Sequence, residues 1–478
     1  MNRCRNQTGG STTTTATSAT AEEPHGYLRR RNVVMATVGV VLLAALYSVH
    51  PGYYSARGSS VDVESVTGPA TQRQDQPSGD LYSVVFDAGS TGSRMFVFHF
   101  KLKDDREGES VLLEREVFEA IEPGISSYAK TPSEAADSLA PLLQKAVSSV
   151  PVGQQNATLI TLKATAGLRL LPKEKGDQIM AEVRDLMKSS PFLLPDPSKI
   201  MVMGGEEEGI FAWVTVNFLL DVLWDSDPDN TVATFDLGGG SMQVTFELSD
   251  NANLSDVQVR ELYKLKLLQA YFLVFTYSYL GSGLKSGRLG IMGRGEGHFA
   301  GLSEQAEDDG NVLLSPCFPA EFNTTWRHGE HIFLVKGTST SSSGLKLCKQ
   351  AVDNFVHKGS FIKNKQLHQR ELHLFSYYFD VARWAGLIPE SATHKLMTPA
   401  DFLQAAEHYC VKENMSEAYP FLCMDLLYIY SMLTEGFGLA PDRQCHVEQK
   451  ILGREVSWSL GAALSTLSQR FTFSAVYL

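Results

Sequence analysis

The chain has 478 residues, enough for two domains or more, because single hydrophobic cores stop growing near roughly 250–300 residues. Its hydrophobic fraction of 43% and charged fraction of 20% are typical of a globular protein. The formal net charge of -12 argues against general nucleic-acid binding, which needs a concentrated basic face. Any phosphate site must therefore be built locally, from backbone N–H groups, a metal ion or a few cations.

The N-terminal region predicts a membrane anchor. Three arginines at positions 29–31 stand directly before an apolar run over residues 33–49. This run is at the short end of what spans a bilayer, and the positive charge before it places residues 1–32 in the cytosol and the rest across the membrane. A cleaved signal peptide and a buried core helix are the alternatives. No convincing small-residue cleavage site is present, which favours the anchor.

Two polar segments flank the anchor. Residues 1–32 are rich in Ser, Thr and Ala and are predicted to be disordered. Residues 50–80 carry Gly, Pro, Ser and charge with little apolar content, which predicts a stem in which cleavage would release the rest of the chain. The folded body is predicted to begin near Leu81.

Sequons and cysteines agree with a lumenal or extracellular body. The sequons start at Asn156, Asn253, Asn323 and Asn414. Five of the six cysteines lie in the second half of the chain, and none has metal-ligand spacing. In an oxidising compartment we pair Cys317 with Cys348 and Cys410 with Cys423, which leaves Cys445 without a partner. The sequence alone leaves other connectivities open.

Patterns typical of strands and helices alternate along the body. Strands are predicted over 82–87, 94–100 and 157–165, and a second strand pair over 230–249. Helices are predicted over 131–150, 173–190, 204–223, 375–387, 399–410, 423–437 and 457–469. This alternation predicts an α/β protein with helices covering a sheet.

One pattern occurs twice. Residues 84–98 read VVFDAGSTGSRMFVF and residues 233–246 read ATFDLGGGSMQVTF, each a strand, an aspartate, a glycine-rich loop and a strand. An ordinary hairpin turn explains either aspartate alone, because Asp and Gly are common turn residues. The repetition, with Asp87 and Asp236 in equivalent positions, suggests two similar domains facing each other.

The two loops predict a phosphate site. Their small residues let backbone N–H groups converge on an anion. They are Gly89, Ser90, Thr91, Gly92 and Ser93 in the first loop and Gly238, Gly239, Gly240 and Ser241 in the second. Neither is a P-loop, since no Gly-Lys-Ser/Thr follows. Two facing loops would grip a phosphate chain from both sides, and Asp87 and Asp236 would then hold Mg²⁺ together with waters.

Charged residues between the loops have two interpretations each. Glu206, Glu207 and Glu208 favour the first turn of a helix through its dipole, but one of them could take a proton from an attacking water. Arg169 could stabilise a transferring phosphoryl group or form a surface pair at a strand end. The histidines are scattered and show no metal-ligand or triad spacing.

Five motifs occur in order and together indicate a family. They are DAGSTGSR (87–94), KATAGLRLLP (163–172), GGEEEGIFAWVTVNFL (204–219), DLGGGSMQ (236–243) and SWSLGAAL (457–464). They resemble the apyrase conserved regions of the nucleoside triphosphate diphosphohydrolase (apyrase) family, over about residues 81–470. Within the family the chain is similar to the endomembrane nucleoside diphosphatases, with one N-terminal membrane segment, none at the C-terminus and few cysteines.

The resemblance implies an actin-like (ASKHA) α/β fold, in which two RNase-H-like lobes have the active site in the cleft between them. Lobe I is expected over 81–204 plus 448–478, and lobe II over 205–447. The implied function is metal-dependent hydrolysis of nucleoside diphosphates (GDP, UDP and IDP, with triphosphates less well) to a monophosphate and phosphate. The implied place is the lumen of the ER or Golgi, in support of glycosylation.

The resemblance also implies roles for single residues. Glu208 is the general base, Ser241 and Gln243 orient the attacking water, and Asp87 and Asp236 hold Ca²⁺ or Mg²⁺ largely through waters. Ser90, Thr91, Gly239 and Gly240 cradle the phosphates, and Thr165 and Arg169 support the first loop. Tyr377 or Tyr378 stacks on the nucleobase, although the aromatic cluster around them is more often core than platform.

One residue departs from the family pattern. Met242 stands where the fourth motif has Thr, and alternate side chains of a strand face opposite ways, so Met242 should point away from the water. Two other functions remain as alternatives, an actin-like-fold kinase and a catalytically impaired nucleotide-binding protein. The sequence indicates no obligate protein partner.

Overall fold

A computed structural model describes residues 79–470, apart from 106–107, 226, 250–260, 269, 296–310, 330, 341–343 and 412–413. The predicted tail and anchor, the stem up to residue 78 and the sequon at Asn253 lie outside the described residues. Among the residues described, no helix combines the length and the apolar character that a membrane crossing requires.

A five-stranded sheet carries the first glycine loop. Its strands are β1 (Asp80–Ala88), β2 (Ser93–Asp105), β3 (Gly108–Ile121), β4 (Leu159–Ala164) and β5 (Ile200–Val202). They lie in the order β3-β2-β1-β4-β5. The first three strands form an antiparallel meander, and β4 and β5 run parallel to β1. The first loop therefore lies at the end of a central strand.

A seven-stranded sheet carries the second loop. The remaining strands in the described residues are β6 (Ala233–Leu237), β7 (Ser241–Glu247), β8 (Leu262–Leu267), β9 (Ala270–Leu280), β10 (Val312–Pro319), β11 (Asn323–His328), β12 (His331–Ser339), β13 (Leu372–Ser376), β14 (His394–Met397), β15 (Cys445–Glu448), β16 (Lys450–Ile451) and β17 (Arg454–Glu455). The sheet has the order β14-β15-β13-β6-β7-β9-β8, while β10, β12 and β11 form a separate small sheet.

Helices cover both large sheets. They are α1 (Pro132–Ser149), α2 (Lys173–Lys188), α3 (Gly205–Leu219), α4 (Leu284–Ile291), α5 (Gly344–Lys358), α6 (Tyr377–Trp384), α7 (Pro399–Tyr409), α8 (Leu422–Ser431) and α9 (Trp458–Arg470). Apolar spacing explains their packing. In α2, for example, Ile179, Val183 and Met187 are buried at intervals of four residues, and this stripe packs with Val84 and Phe86 of β1.

The α3 helix is buried on almost every side. Its Trp213 belongs to a core that joins Val85 of the first sheet, Val274 of the second sheet and Ala463 of α9. A helix that is apolar all round needs cover on all sides, and α3 obtains it by lying between the two sheets. The predicted lobe boundary at residues 204 and 205 falls at the start of this helix, and it stays a prediction.

Both predicted disulfides are present. Cys317 of β10 bonds Cys348 of α5, and Cys410 bonds Cys423 of α8. Cys445 is buried and forms no disulfide bond with another described cysteine. The described sequon asparagines, Asn156, Asn323 and Asn414, are all exposed. Their glycosylation stays a prediction.

Two predicted helices need correction. The helix predicted over 375–387 begins at Tyr377, because Phe375 and Ser376 belong to β13. The helix predicted over 423–437 is α8 followed by a π-helical turn over Met432–Gly436. In both cases the apolar run continues across a change of backbone conformation, and periodicity alone cannot locate such a change.

Candidate active site

The two glycine loops face each other across a cleft. A Cβ atom on Gly239 would lie 2.9 Å from Thr91 Oγ1 and would collide with the Ser90 hydroxyl, so only glycine allows this approach. The loops line a cavity of about 320 Å³ together with Thr165, Glu208 and the C-terminal ends of β1 and β6. Of the residues predicted to bind phosphate, Gly89, Ser90, Thr91, Thr165, Gly238, Gly239 and Gly240 line this cavity, whereas Gly92 does not.

Backbone contacts fix the direction of the second loop. The Gly238 and Gly239 carbonyls accept hydrogen bonds from Leu284 N and Lys285 N, at 2.8 and 2.9 Å. These donors belong to the first turn of α4, where helix N–H groups lack partners in the helix itself. Because the loop carbonyls face α4, they are turned away from an anion in the cleft.

Two aspartates lie at the bottom of the cleft, one from each sheet. Asp87 and Asp236 are 5% and 7% exposed. Arg94 Nη1 donates to Asp87 Oδ2 at 3.1 Å, and Ser376 Oγ donates to Asp236 Oδ1 at 2.7 Å. Asp87 Oδ1 is buried and has no hydrogen-bond partner among the described residues.

The charge of the two aspartates fits a bound divalent cation. Burial raises the pKa of Asp87, and the Arg94 guanidinium partly offsets this. Burial, and to a smaller degree the Asp87 carboxylate, raise the pKa of Asp236 to about 6. Paired carboxylates with an unused buried oxygen are the hard ligands that Ca²⁺ and Mg²⁺ prefer. A cation there would offset the repulsion between the carboxylates and an incoming phosphate.

Glu208 is the buried glutamate of the cleft. It lies in the first turn of α3 and is 7% exposed. Arg169 Nη2 donates to Glu208 Oε2 at 2.6 Å. Burial raises the pKa of Glu208 to about 7; Arg169 lowers this pKa, and the charges of Asp236 and Asp87 raise it. A carboxylate with a pKa near neutrality is suited to accept a proton at physiological pH.

The neighbouring Glu207 has a different environment. Its Oε1 pairs with Lys163 Nζ at 2.9 Å, and its side chain is 40% exposed. Lys163 also lies over the Phe211 ring, 5.3 Å from the centroid. Lys163 and Glu207 therefore neutralise each other beside the cleft, and of the glutamate run it is Glu208 that lines the cavity.

A polar network surrounds Glu208. Gln243 Nε2 donates to Ser241 Oγ at 2.8 Å and to Ser278 Oγ at 2.9 Å, and lies 3.3 Å from Glu208 Oε2. Arg169 Nη2 also donates to Ser241 Oγ, at 3.0 Å. Gln243 Oε1 is buried without a partner among the described residues, so it can accept a hydrogen bond from a water beside Glu208.

The Arg169 guanidinium reaches Glu208 because the start of α3 lacks a side chain. A Cβ atom on Gly205 would lie 2.5 Å from Arg169 Nη1 and would collide with Ser278. Arg169 itself ends a one-turn helix over Ala166–Arg169 that follows β4. At the start of that turn, Thr165 N donates to Ala88 O at 3.2 Å, which ties the turn to the first glycine loop.

The two tyrosines that are candidates for stacking on the nucleobase lie in different environments. Tyr377 lines the cavity, and its hydroxyl lies 3.1 Å from Thr91 Oγ1. Trp384 lines the same cavity, with ring centroids 6.0 Å from Tyr377. Tyr378 is fully buried, and its hydroxyl donates to Met432 Sδ at 3.5 Å. Tyr377 is therefore the tyrosine that can reach a ligand in the cleft.

Several cleft residues were not predicted from the sequence. They are Arg94, Ser278, Ser376, Trp384 and Trp458. Arg94 closes the first motif and could have been found as the cation nearest to Asp87. Ser278 and Trp384 lie in no motif and reach the site only through strand order and helix placement, which leave no local signal.

Met242 packs away from the cleft, as expected from strand alternation. It is fully buried in the core on the far face of the seven-stranded sheet, with Leu237 and Tyr279 as its register partners. Ser241 and Gln243, on either side of it, keep the hydrogen bond between their side chains. The departure from the family pattern therefore alters the core and leaves the polar network intact.

Two facing glycine loops with acidic groups between them, each carried by its own sheet, are the arrangement expected of a phosphate-handling enzyme with an actin-like fold. A solved structure supports the fold, that of nucleoside triphosphate hydrolases from Neospora caninum. It has a TM-score of 0.54 and 15% sequence identity, and the match covers 92% of this chain and 98% of that chain.

Sequence comparison gives the family. A family model described as the GDA1/CD39 (nucleoside phosphatase) family matches residues 73–475. The chain is 36% identical over 393 residues to ectonucleoside triphosphate diphosphohydrolase 5 of Bos taurus, which covers 82% of this chain and 88% of that protein. It is 38% identical over 384 residues to ectonucleoside triphosphate diphosphohydrolase 6 of Rattus norvegicus, and this match covers 80% of this chain and 81% of that protein. It is 35% identical over 411 residues to nucleoside-diphosphatase uda-1 of Caenorhabditis elegans, and this match covers 81% of this chain and 82% of that protein.

The chain belongs to the GDA1/CD39 (nucleoside phosphatase) family. The resemblance recognised from the five motifs is confirmed, and so is its assignment as a hydrolase with an actin-like fold.

Proposed function

We propose that this protein hydrolyses nucleoside diphosphates, GDP, UDP and IDP ahead of triphosphates, to a nucleoside monophosphate and phosphate. The observation that carries the proposal is the environment of Glu208. Burial raises the pKa of this carboxylate to about 7, and it lies beside the unused Gln243 Oε1 in the cavity lined by the two glycine loops. The names of the relatives, one of which is a nucleoside-diphosphatase, support the choice of substrate.

In the proposed reaction a water attacks the terminal phosphorus directly. Glu208 accepts the proton of this water, while Gln243 Oε1 and the Ser241 hydroxyl orient it. The small residues of both loops bind the phosphate oxygens through backbone N–H groups and the Ser90 and Thr91 hydroxyls. Catalysis is then mostly positioning and charge stabilisation, as in other phosphoryl transfers, without a covalent enzyme intermediate.

A divalent cation completes the proposal. Asp87 and Asp236 would hold Ca²⁺ or Mg²⁺, largely through waters, and the ion would supply positive charge to the phosphate oxygens. Arg94 and Ser376 position these two carboxylates through the hydrogen bonds described above. Tyr377 would contact the nucleobase from the rim of the cavity.

We place the body in the lumen of the ER or Golgi, held by the N-terminal anchor or released by cleavage in the stem. Two disulfides support an oxidising compartment. Exposed asparagines at three sequons are accessible to glycosylation. There the enzyme would clear the nucleoside diphosphates that glycosyltransferases release.

Phosphate release from purified full-length protein in mild detergent tests the function. GDP, UDP, ADP and ATP are compared with Ca²⁺, Mg²⁺ or a chelator, for the wild type, Glu208→Gln and Glu207→Gln. We expect metal-dependent release from diphosphates, lowered by about 10²–10⁴-fold in Glu208→Gln. Glu207→Gln is the matched control because it changes the adjacent carboxylate, which pairs with Lys163.

Two results would contradict the proposal. Folded wild-type protein that releases no phosphate from any of the four nucleotides would exclude hydrolysis and favour a nucleotide-binding role. Equal losses in the two glutamate variants would remove Glu208 from the position of general base.

A further inference from the structure

One edge of the seven-stranded sheet carries a cluster of histidines and glutamates outside the cleft. His373 of β13 and His446 of β15 are direct register partners, and His394 of β14 is the register partner of Glu448. Residues two apart on a strand share a face. The side chains of Glu371, His373, His446, Glu448 and His394 therefore lie on one face of three adjacent strands.

His373 has one ring nitrogen that makes no hydrogen bond with any of the described residues. The residue is 2% exposed, and its Nδ1 lies 2.6 Å from Glu448 Oε1. Its Nε2 is buried and has no hydrogen-bond partner among the described residues. A buried polar atom without a partner is costly, so an unused nitrogen held in a defined direction indicates a ligand.

Glu371 and His446 offer further ligand atoms beside His373. His446 Nε2 is 3.1 Å from Glu371 Oε1, and one ligand atom each from Glu371, His373 and His446 lies within 4.8 Å of the other two. His446 Nδ1 is also 2.9 Å from His394 Nε2. Each histidine thus has a ring nitrogen hydrogen-bonded to a residue outside the proposed ligand set, Glu448 for His373 and His394 for His446, and metal-binding histidines are commonly oriented in this way.

We propose that Glu371, His373 and His446 form a zinc site, with Glu448 and His394 orienting the two histidines. Two imidazoles and a carboxylate suit Zn²⁺, whereas Ca²⁺ and Mg²⁺ prefer oxygen ligands only. Zinc–ligand distances near 2.0–2.2 Å place tetrahedral ligand atoms roughly 3.3 Å apart. Rotation of the exposed Glu371 side chain and of the partly exposed His446 side chain would close the present spacing between the ligand atoms.

The site would lie close to the active-site cleft without being part of it. Ser376, which holds Asp236, follows His373 by three residues on β13, roughly 10 Å along the strand. Gln449, which lines the cleft, directly follows Glu448. Zinc would cross-link β13 and β15 at the edge of the sheet and so position Ser376 and Gln449.

Calorimetric titration of metal-free full-length protein with ZnCl₂ tests the proposal, in excess Mg²⁺ so that oxygen-ligand sites are filled. We expect one Zn²⁺ per wild-type chain and at least about 100-fold weaker binding in the double variant His373→Gln, His446→Gln. Glu448→Gln should weaken binding by about 10–100-fold, as expected for the partner of a ligand. Co²⁺ in place of Zn²⁺ should give visible absorption bands of a nitrogen-ligated site.

His357→Gln is the matched control, because His357 is exposed and pairs with Glu435, away from the cluster. It should bind zinc like the wild type. The proposal is overturned when the wild type takes up no zinc, or when the double variant binds zinc with the same stoichiometry and affinity. Should the double variant fail to fold by circular dichroism, the single variant His446→Gln decides: unchanged zinc affinity there also overturns the site.

Discussion

Glu208 lies between opposing charges that set its pKa. Burial and two aspartates raise this pKa, while the Arg169 guanidinium lowers it. The position of Arg169 therefore determines how far below neutral pH the carboxylate stays ionised and able to accept a proton. The pKa of Glu208 therefore depends on the Arg169 guanidinium as well as on burial.

Replacement of Arg169 by Gln should move the acid limb of the pH profile. Without the guanidinium the pKa of Glu208 rises, so the ionised base is lost at a higher pH. We expect the acid limb of kcat/KM to shift upward by about 1–3 pH units, measured as phosphate release between pH 5 and 9. Lys163→Gln, which removes the neighbouring cation paired with Glu207, should leave the limb in place. An unchanged limb in the Arg169 variant would separate Arg169 from the base.

Met242→Thr tests the departure from the family pattern. Thr leaves a small cavity and a hydroxyl in an apolar core, so the free energy of unfolding should fall by about 1–3 kcal/mol. Because Met242 faces away from Gln243, kcat should stay within about twofold of the wild type. Thermal unfolding and phosphate release measure the two effects. A large gain in kcat with Thr would instead support the catalytically impaired alternative.

At the scale of single elements, α6 decides which aromatic residue reaches the ligand. Adjacent positions on a helix point in different directions, so Tyr377 faces the cavity and Tyr378 faces the core. The first residue of this helix follows Ser376, which has a φ of 60°. That left-handed conformation turns the chain sharply, and it places the Ser376 hydroxyl on Asp236 and Tyr377 at the rim.

Tyr377→Ala should weaken binding of nucleotides that carry a base. Stacking of an aromatic ring on a base contributes about 1–3 kcal/mol, so KM for GDP should rise by about 5–150-fold. Methyl diphosphate, which lacks a base, should show no comparable change. Tyr377→Phe keeps the ring and removes only the contact with Thr91, so it serves as the control. A similar rise in KM for both substrates would assign Tyr377 to phosphate binding instead of stacking.

The elements that the sequence predicts well are those with a strong local signal. The two glycine hairpins, α2 and α3 follow from turn residues, apolar spacing and acidic first turns. The start of α6 was wrong because Phe375 continues the apolar pattern of the helix although it belongs to β13. The backbone reversal at Ser376 depends on the pairing of β13 with β6, which no local pattern encodes.

The histidine cluster shows the same limit for sites. His373, His394 and His446 have no common spacing in the sequence, and each is unremarkable alone. They meet because β15 inserts between β13 and β14 in the sheet. Likewise, Ser278 reaches Gln243 only because β9 pairs with β7. Such residues can be assigned to a site only when the strand order is known, whereas Asp87, Asp236 and Glu208 could be found from sequence motifs.

At the scale of the whole molecule, carboxylates from both sheets share one buried site. The pKa values of Asp236 and Glu208 are raised, so their protonated forms favour the folded state. In metal-free protein, the stabilisation of the folded state by these protonated carboxyls is fully present below their ordinary pKa values. It is lost as the pH rises through about 6 for Asp236 and about 7 for Glu208. A bound cation offsets the loss.

The stabilisation by Mg²⁺ or Ca²⁺ should therefore grow with pH. We expect little increase in Tm on adding the ion at pH 5 and a clear increase at pH 8, measured by thermal unfolding of the full-length protein. Asp236→Asn should remove most of the difference between the two pH values. Equal increases in Tm at pH 5 and pH 8 would show that the ion binds elsewhere than between these carboxylates.

The packing of α9 on α3 and β1 has a consequence for folding during synthesis on the ribosome. The core that contains Val85 and Trp213 also needs Ala463, which the ribosome adds almost 380 residues after Val85. At the usual pace of synthesis that interval is on the order of tens of seconds or longer. During this interval the face of the first sheet that α9 covers stays exposed, and such an apolar surface is a binding site for chaperones. A nascent chain that stops short of α9 would have both glycine loops and still lack a closed core.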